Sequence, residues 1–172
     1  MEYLIVDGYN IIFSWQELNA LAQENMDSAR MRLADILCNY QGFKKNIVIL
    51  VYDGYKSKGN LGSIIRYHNI DIVYTKEDET ADQYIEKVAH QMGREVSIRV
   101  ATSDATEQII VFGKGAARMS ARELKLEIEE AEKQIREITE ERTKRVKRRN
   151  SIMDNLPPEV AEELERMRLK KD

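Results

Sequence analysis

Four short apolar runs, Tyr3–Val6, Asn46–Tyr52, Ile70–Tyr74 and Ser97–Ala101, are separated by stretches of helical periodicity. The second and fourth are rich in β-branched residues, and the second shows little alternation, as expected of strands covered on both faces. Residues 28–40 place Ala29, Leu33, Ile36 or Leu37 and Tyr40 at helical spacing, and residues 80–92 do the same with Ala81, Ile85, Val88 and Met92. Strands alternating with helices of this length require right-handed βαβ crossovers. The chain is therefore expected to form an α/β sandwich with a mainly parallel sheet.

The 172 residues are 42% apolar and 33% charged, enough for one domain with a core plus an appendage. No run reaches the roughly 18 apolar residues that a membrane span needs, and the apolar start, with Glu2 ahead of it, does not read as a signal peptide. One cysteine, Cys38, leaves no internal disulfide and no cysteine-based zinc site. The expectation is a cytoplasmic protein with no membrane partner.

Charge is uneven. Residues 1–117 hold 12 basic and 16 acidic side chains, whereas residues 118–172 hold 15 and 14. Within the second stretch, residues 142–149 (RTKRVKRR) concentrate six positive charges, which fits a polyanionic partner or a solvated helix end. The stretch 120–138 opens with a capping box, Ser120 with Glu123, and repeats Leu124, Ile128, Ala131, Ile135 and Ile138 at 4-3-4-3 spacing. A long amphipathic helix is expected there, broken at residues 155–160 (NLPPEV) before a short charged helix. Residues 54–62 (GYKSKGNLG) read as a basic loop, and 113–118 (GKGAAR) as a turn or short edge strand.

The candidate chemistry lies where the strands end. In a parallel sheet the strand C-termini share one edge, and ligands bind in the crevice there. The first run ends at Asp7, the second at Asp53 and the fourth leads to Asp104. The third leads into TKEDETAD, which carries Asp78, Glu79 and Asp82. Each acid singly has a structural account: Asp82 in a helix capped by Thr80 with Gln83, Asp104 with Glu107 as a capping pair, Asp53-Gly54 and Asp7-Gly8 as turns. Their convergence on one edge is the informative feature, because gathered carboxylates repel unless a cation holds them. Carboxylates with the amide of Asn10 are hard oxygen ligands, suited to magnesium or manganese rather than zinc.

Other sites are excluded by pattern. No G-x-G-x-x-G follows a strand, and GKGAAR lacks phosphate-loop spacing. A phosphoryl-aspartate enzyme would need an acid at position 9, where Tyr9 stands, and a receiver domain would need adjacent acids after the first strand. His68 and His90 read as partly buried or surface residues, and Cys38 as packing.

VDGYNII, VYDGY, ETADQYIEK, ATSDATEQ and GKGAARMSARELKLEI, in that order, resemble the YacP-type NYN domain of the PIN-like nuclease superfamily, over about residues 1–150. The resemblance implies a Rossmann-like three-layer α/β/α sandwich (residues 1–118) followed by a C-terminal helical extension (residues 119–172). It also implies a metal-dependent endoribonuclease acting on single-stranded RNA, associated with messenger-RNA decay on the ribosome and needing no small-molecule cofactor. Asp7, Asp82 and Asp104 match the catalytic, metal-binding carboxylates. Asn10, Asp53, Glu79, Ser103 and Glu107 match or could serve as supporting groups, and Thr102 could assist. Lys56, Lys58, Arg145, Lys147, Arg148 and Arg149 are the expected RNA contacts, and Tyr9, Trp15 and Tyr55 could stack on bases or pack. The alternative is a non-catalytic RNA- or ribosome-binding module on the same fold.

Overall fold

A computed structural model describes residues 1–54, 59, 61–92, 96–103 and 116–169. The chain divides into two compact units, Met1–Ala131 and Glu132–Asp172. In the first, six strands form one sheet in the order β3-β4-β2-β1-β5-β6. They are β1 (Glu2–Asp7), β2 (Ile47–Tyr52), β3 (Ser63–Tyr67), β4 (Ile70–Tyr74), β5 (Ser97–Ala101) and β6 (Ala117–Met119). All neighbouring pairs are parallel except β3 with β4, a hairpin that supplies one edge.

The helices are α1 (Gly8–Ser14), α2 (Gln16–Glu24), α3 (Met26–Lys44), α4 (Ala81–Met92), α5 (Ala121–Asp154) and α6 (Pro158–Leu169). Side chains of β1 alternate between the two faces of the sheet. Leu4 and Val6 join a core with Leu33, Leu37 and Tyr40 of α3 and Leu124 and Ile128 of α5. Ile5 joins a second core with Val51, Val73, Val100 and with Ile85 and Ala89 of α4. Helices on both faces make the expected three-layer sandwich. The run of buried residues in β1 and β2 reflects that double covering.

Three elements go beyond the sequence reading. Asp7-Gly8 is not a turn: Asp7 is the N-cap of α1, which begins at once without a loop. Helix α2 follows, and β3 occupies residues that carry no strand expectation. Gly8 has a packing reason, since a Cβ there would lie 2.7 Å from Cδ1 of the fully buried Tyr52 ring. The expected edge strand near 113–118 is β6.

The capping boxes form as read. Ser120 and Glu123 exchange side-chain-to-backbone bonds at 2.7 and 3.1 Å, and Thr80 and Gln83 do so at 3.0 and 3.2 Å. The start of α5 is fastened to the sheet by a polar knot. Arg99 Nη1 donates to Glu127 Oε2 at 2.7 Å, Tyr40 Oη donates to Glu127 Oε1 at 2.5 Å, and Lys44 lies 3.6 Å from the same carboxylate. Along the α5 stripe Leu124, Ile128 and Ala131 are buried, Ile135 is half-buried and Ile138 is exposed. The first compact unit thus reaches into α5 as far as Ala131. In the second unit Arg142, Lys144, Arg145, Lys147, Arg148 and Arg149 are all exposed, and α6 buries none of its residues. Pro158 sits at the first position of α6, where its missing N–H costs nothing. Among the described residues no helix is long and apolar enough to cross a membrane.

Candidate active site at the strand exits

From β1 the chain winds to β2 and β4 on one side, then returns through α4 to β5 and β6 on the other. The winding reverses between β1 and β5, the place where a sheet of this kind forms its ligand crevice, at the C-terminal ends of those strands. Asp7 stands at that point, only 8% exposed. Its carboxylate accepts from the Asn10 backbone N–H at 3.3 Å and lies at the N-terminus of α1, where negative charge is favoured. Val6 pairs in register with Ala101, which sets Thr102 and Ser103 beside Asp7 and α1.

Asn10 ties the two exits together. Its Oδ1 accepts from the Ser103 backbone N–H at 2.6 Å. Its carbonyl accepts from Ser14 Oγ at 2.7 Å, and Ser14 Oγ in turn lies 3.0 Å from Ser103 Oγ. With the Ser14 proton committed to that carbonyl, Ser103 is the donor of the pair. Asn10 therefore orients the segment leading into Asp104, a positioning role rather than an obvious ligand role. Thr102 is fully buried, its N–H donating to the Met119 carbonyl at 3.0 Å.

On the other side, Asp7 pairs with Val51, so Asp53 lies two residues further along the neighbouring exit and is exposed. Thr75 holds that exit in place: its hydroxyl accepts from the Gly54 N–H at 2.9 Å, and its own N–H donates to the Tyr52 carbonyl at 3.0 Å. Asp82 is exposed in the first turn of α4. Glu79 is ion-paired with Lys87, which commits it elsewhere. Asp104, Glu107, Lys56, Lys58 and Tyr55 lie outside the described residues. Among the described residues no three carboxylate, His or Cys side chains form a metal-holding group. The donors that the described residues bring to this edge are carboxylate, amide and hydroxyl oxygens, while His68 and His90 are exposed elsewhere. That donor set fits a hard divalent cation.

An aromatic wall flanks the site. The Tyr9 ring is 5.0 Å from Tyr52, which is 5.5 Å from Tyr74, and Phe13 lies 6.5 Å beyond Tyr9. Burial pushes the Tyr52 and Tyr74 phenols above their ordinary range, so they stay neutral. Arg30 donates to Tyr9 Oη at 2.8 Å; burial works against its charge, but Asp27 and Tyr9 outweigh it and raise its pKa. Trp15 is not available to a base, because it is buried with Nε1 donating to the Ala121 carbonyl at 2.8 Å. Phe13 is the half-exposed ring of the group, one turn past Tyr9. The i, i+4 spacing from Tyr9 is the signal that could have found it.

Fold and edge together define a Rossmann-like α/β/α domain with an acidic, hydroxyl-lined crevice at its switch point. The chain belongs to the YacP-like NYN domain family, whose model matches residues 4–169, a family of PIN-like, nuclease type. It is 43% identical over 147 residues to YacP of Bacillus subtilis strain 168, covering 83% of this chain and 86% of that protein. Two crystal structures of Rae1 (YacP) from Bacillus subtilis match it as well. A point mutant does so with TM-score 0.74 at 34% identity over 97% of this chain and 99% of that one. The other has TM-score 0.72 at 36% identity, over 99% and 96%. PIN-like nucleases typically use divalent metal ions.

Proposed function

We propose that the protein is a metal-dependent endoribonuclease that hydrolyses phosphodiester bonds of single-stranded RNA, with messenger RNA in a ribosomal context as its substrate, in the cytoplasm. The observation that carries this reading is Asp7, sequestered at the crevice between β1 and β5, with the Asn10 bonds fixing the adjoining exit. Asp7, Asp82 and Asp104 would hold magnesium or manganese. A cation bound there supplies charge opposite the phosphoryl oxygens and lowers the pKa of a coordinated water. Hydrolysis breaks the P–O3′ bond, leaving a 5′-phosphate and a 3′-hydroxyl.

The chain's own residues position the reaction. Asn10 and Ser14 lock Ser103, Thr75 locks the Asp53 exit, and Asp53 stands as a second-rank acid at the same edge. Residues 1–118 hold the catalytic groups, and the extension 119–172 anchors the substrate. Lys56 and Lys58, with Arg145, Lys147, Arg148 and Arg149 in α5, contact phosphates.

Metal-stripped protein should leave RNA intact and regain cleavage when magnesium is returned, and its melting temperature should rise with the metal by mass action. Full cleavage in the presence of chelator would overturn metal dependence.

A further inference from the structure

A groove of about 450 Å³ lies beside the crevice, lined by Ser14, Trp15, Ser103, Ala121, Arg122 and Lys125 among others. It opens on the β5 side of the switch point, and Ser103, which forms part of its wall, directly precedes Asp104. Two of its features concern charge and a third its hydroxyls. Lys125 is neutralised by Glu17, with Nζ 2.9 Å from both carboxylate oxygens, and that contact holds the Glu17 carboxyl below its ordinary range. The capping box already occupies the Ser120 side chain, so the helix start itself offers no spare hydroxyl. Arg122 is exposed, and among the described residues no carboxylate pairs with it.

The groove therefore carries one uncompensated guanidinium on a body whose first 117 residues are acidic. Its floor is rigid, because Trp15 is buried and bonded to Ala121. A guanidinium is suited to bidentate contact with a phosphate. Resting on the RNA reading of the crevice, we propose that this groove is a phosphate subsite. In it Arg122 binds a backbone phosphate of the single-stranded substrate next to the one being cleaved, and thereby sets the register of the strand. The serine hydroxyls of Ser14 and Ser103 stay in their own hydrogen-bonded chain and shape the wall rather than donate to the phosphate.

The test measures equilibrium binding of a fluorescein-labelled oligouridylate to full-length protein carrying Asp7→Asn, so that cleavage does not enter. Adding Arg122→Gln should weaken binding about fivefold at low salt and reduce the log–log salt slope by about 0.7, the loss of one phosphate contact on a single strand. Arg122→Lys should keep the slope. Arg32→Gln, in a separate groove lined by Asp35, Cys38 and His68, should change neither quantity. An unchanged affinity and slope for Arg122→Gln, an equal loss for Arg32→Gln, or no oligouridylate binding by the parent would each overturn the subsite. Failure of the nuclease reading shows separately, as a wild-type protein that binds the oligonucleotide in this way yet never cuts RNA with magnesium present.

Discussion

Asn10 makes three hydrogen bonds that connect two strand exits: its N–H to Asp7, its side-chain oxygen to the Ser103 N–H and its carbonyl to Ser14. Removing the side chain takes the partner from the exposed Ser103 N–H, at a cost of about 0.5–1.5 kcal/mol. Asn10→Ala should melt lower and cleave more slowly at saturating RNA, and Asn10→Asp, which keeps the acceptor but adds a carboxylate to an acidic edge, should recover the melting temperature only in part. Thermal melting and single-turnover cleavage check this, and an Asn10→Ala protein that melts like wild type would remove the clamp. At this scale the sequence was partly legible. Asp7 stands out because an acid ends an apolar run, but its role as a helix cap is hidden: Gly8 suggests a turn, and only the Tyr52 ring explains the glycine. Trp15 reads equally as a stacking ring or a core residue, and burial decides for the core.

The Arg99–Glu127–Tyr40 knot couples α3, β5 and α5. Burial works against the Glu127 charge, but bonds from Arg99 and Tyr40 hold its pKa below the ordinary carboxylate range. A depressed carboxylate stabilises the fold above its unfolded pKa, and that contribution is lost as pH falls toward the folded one. Burial and the bond to Glu127 push Tyr40 up to about 12 from 10.0, so stability drains as pH rises between those values. Urea unfolding across pH should show a shallower acid limb for Glu127→Gln and a shallower alkaline limb for Tyr40→Phe. Limbs identical to wild type would mean the knot is energetically idle. Helices α3 and α4 are legible from their periodicity, whereas α1 is not, because Ile11 and Ile12 prolong the apolar run of β1. Strand β3 escapes for another reason: with Ile64 and Ile65 both exposed, its sequence has no buried face to give a period.

Over the whole molecule, an acidic body must approach a polyanion. In the proposed function the exposed basic run of α5 would supply phosphate contacts, each adding about −0.7 to the log–log salt slope on single-stranded RNA. Replacing Arg145, Lys147, Arg148 and Arg149 with Gln should flatten that dependence and reduce co-sedimentation with ribosomes. Binding equally salt-sensitive in the variant would make the run a solvated helix end. The α/β/α class is legible because strand and helix patterns alternate. The extent of the compact body is not, because the α5 stripe continues past Ala131 to residues whose exposure the spacing does not foretell.

The central claim is that carboxylates at the strand exits cut RNA, and cleavage mapping on translating ribosomes tests it most directly. Wild-type protein is compared with Asp7→Asn, Asp82→Asn and Asp104→Asn, each checked for folding by thermal melting. Asn at position 7 still caps a helix well, so loss of α1 does not confound that variant. Discrete new 5′-phosphate ends should appear with wild type and vanish with every variant while each remains folded. The same ends persisting at wild-type yield in all three would contradict the account.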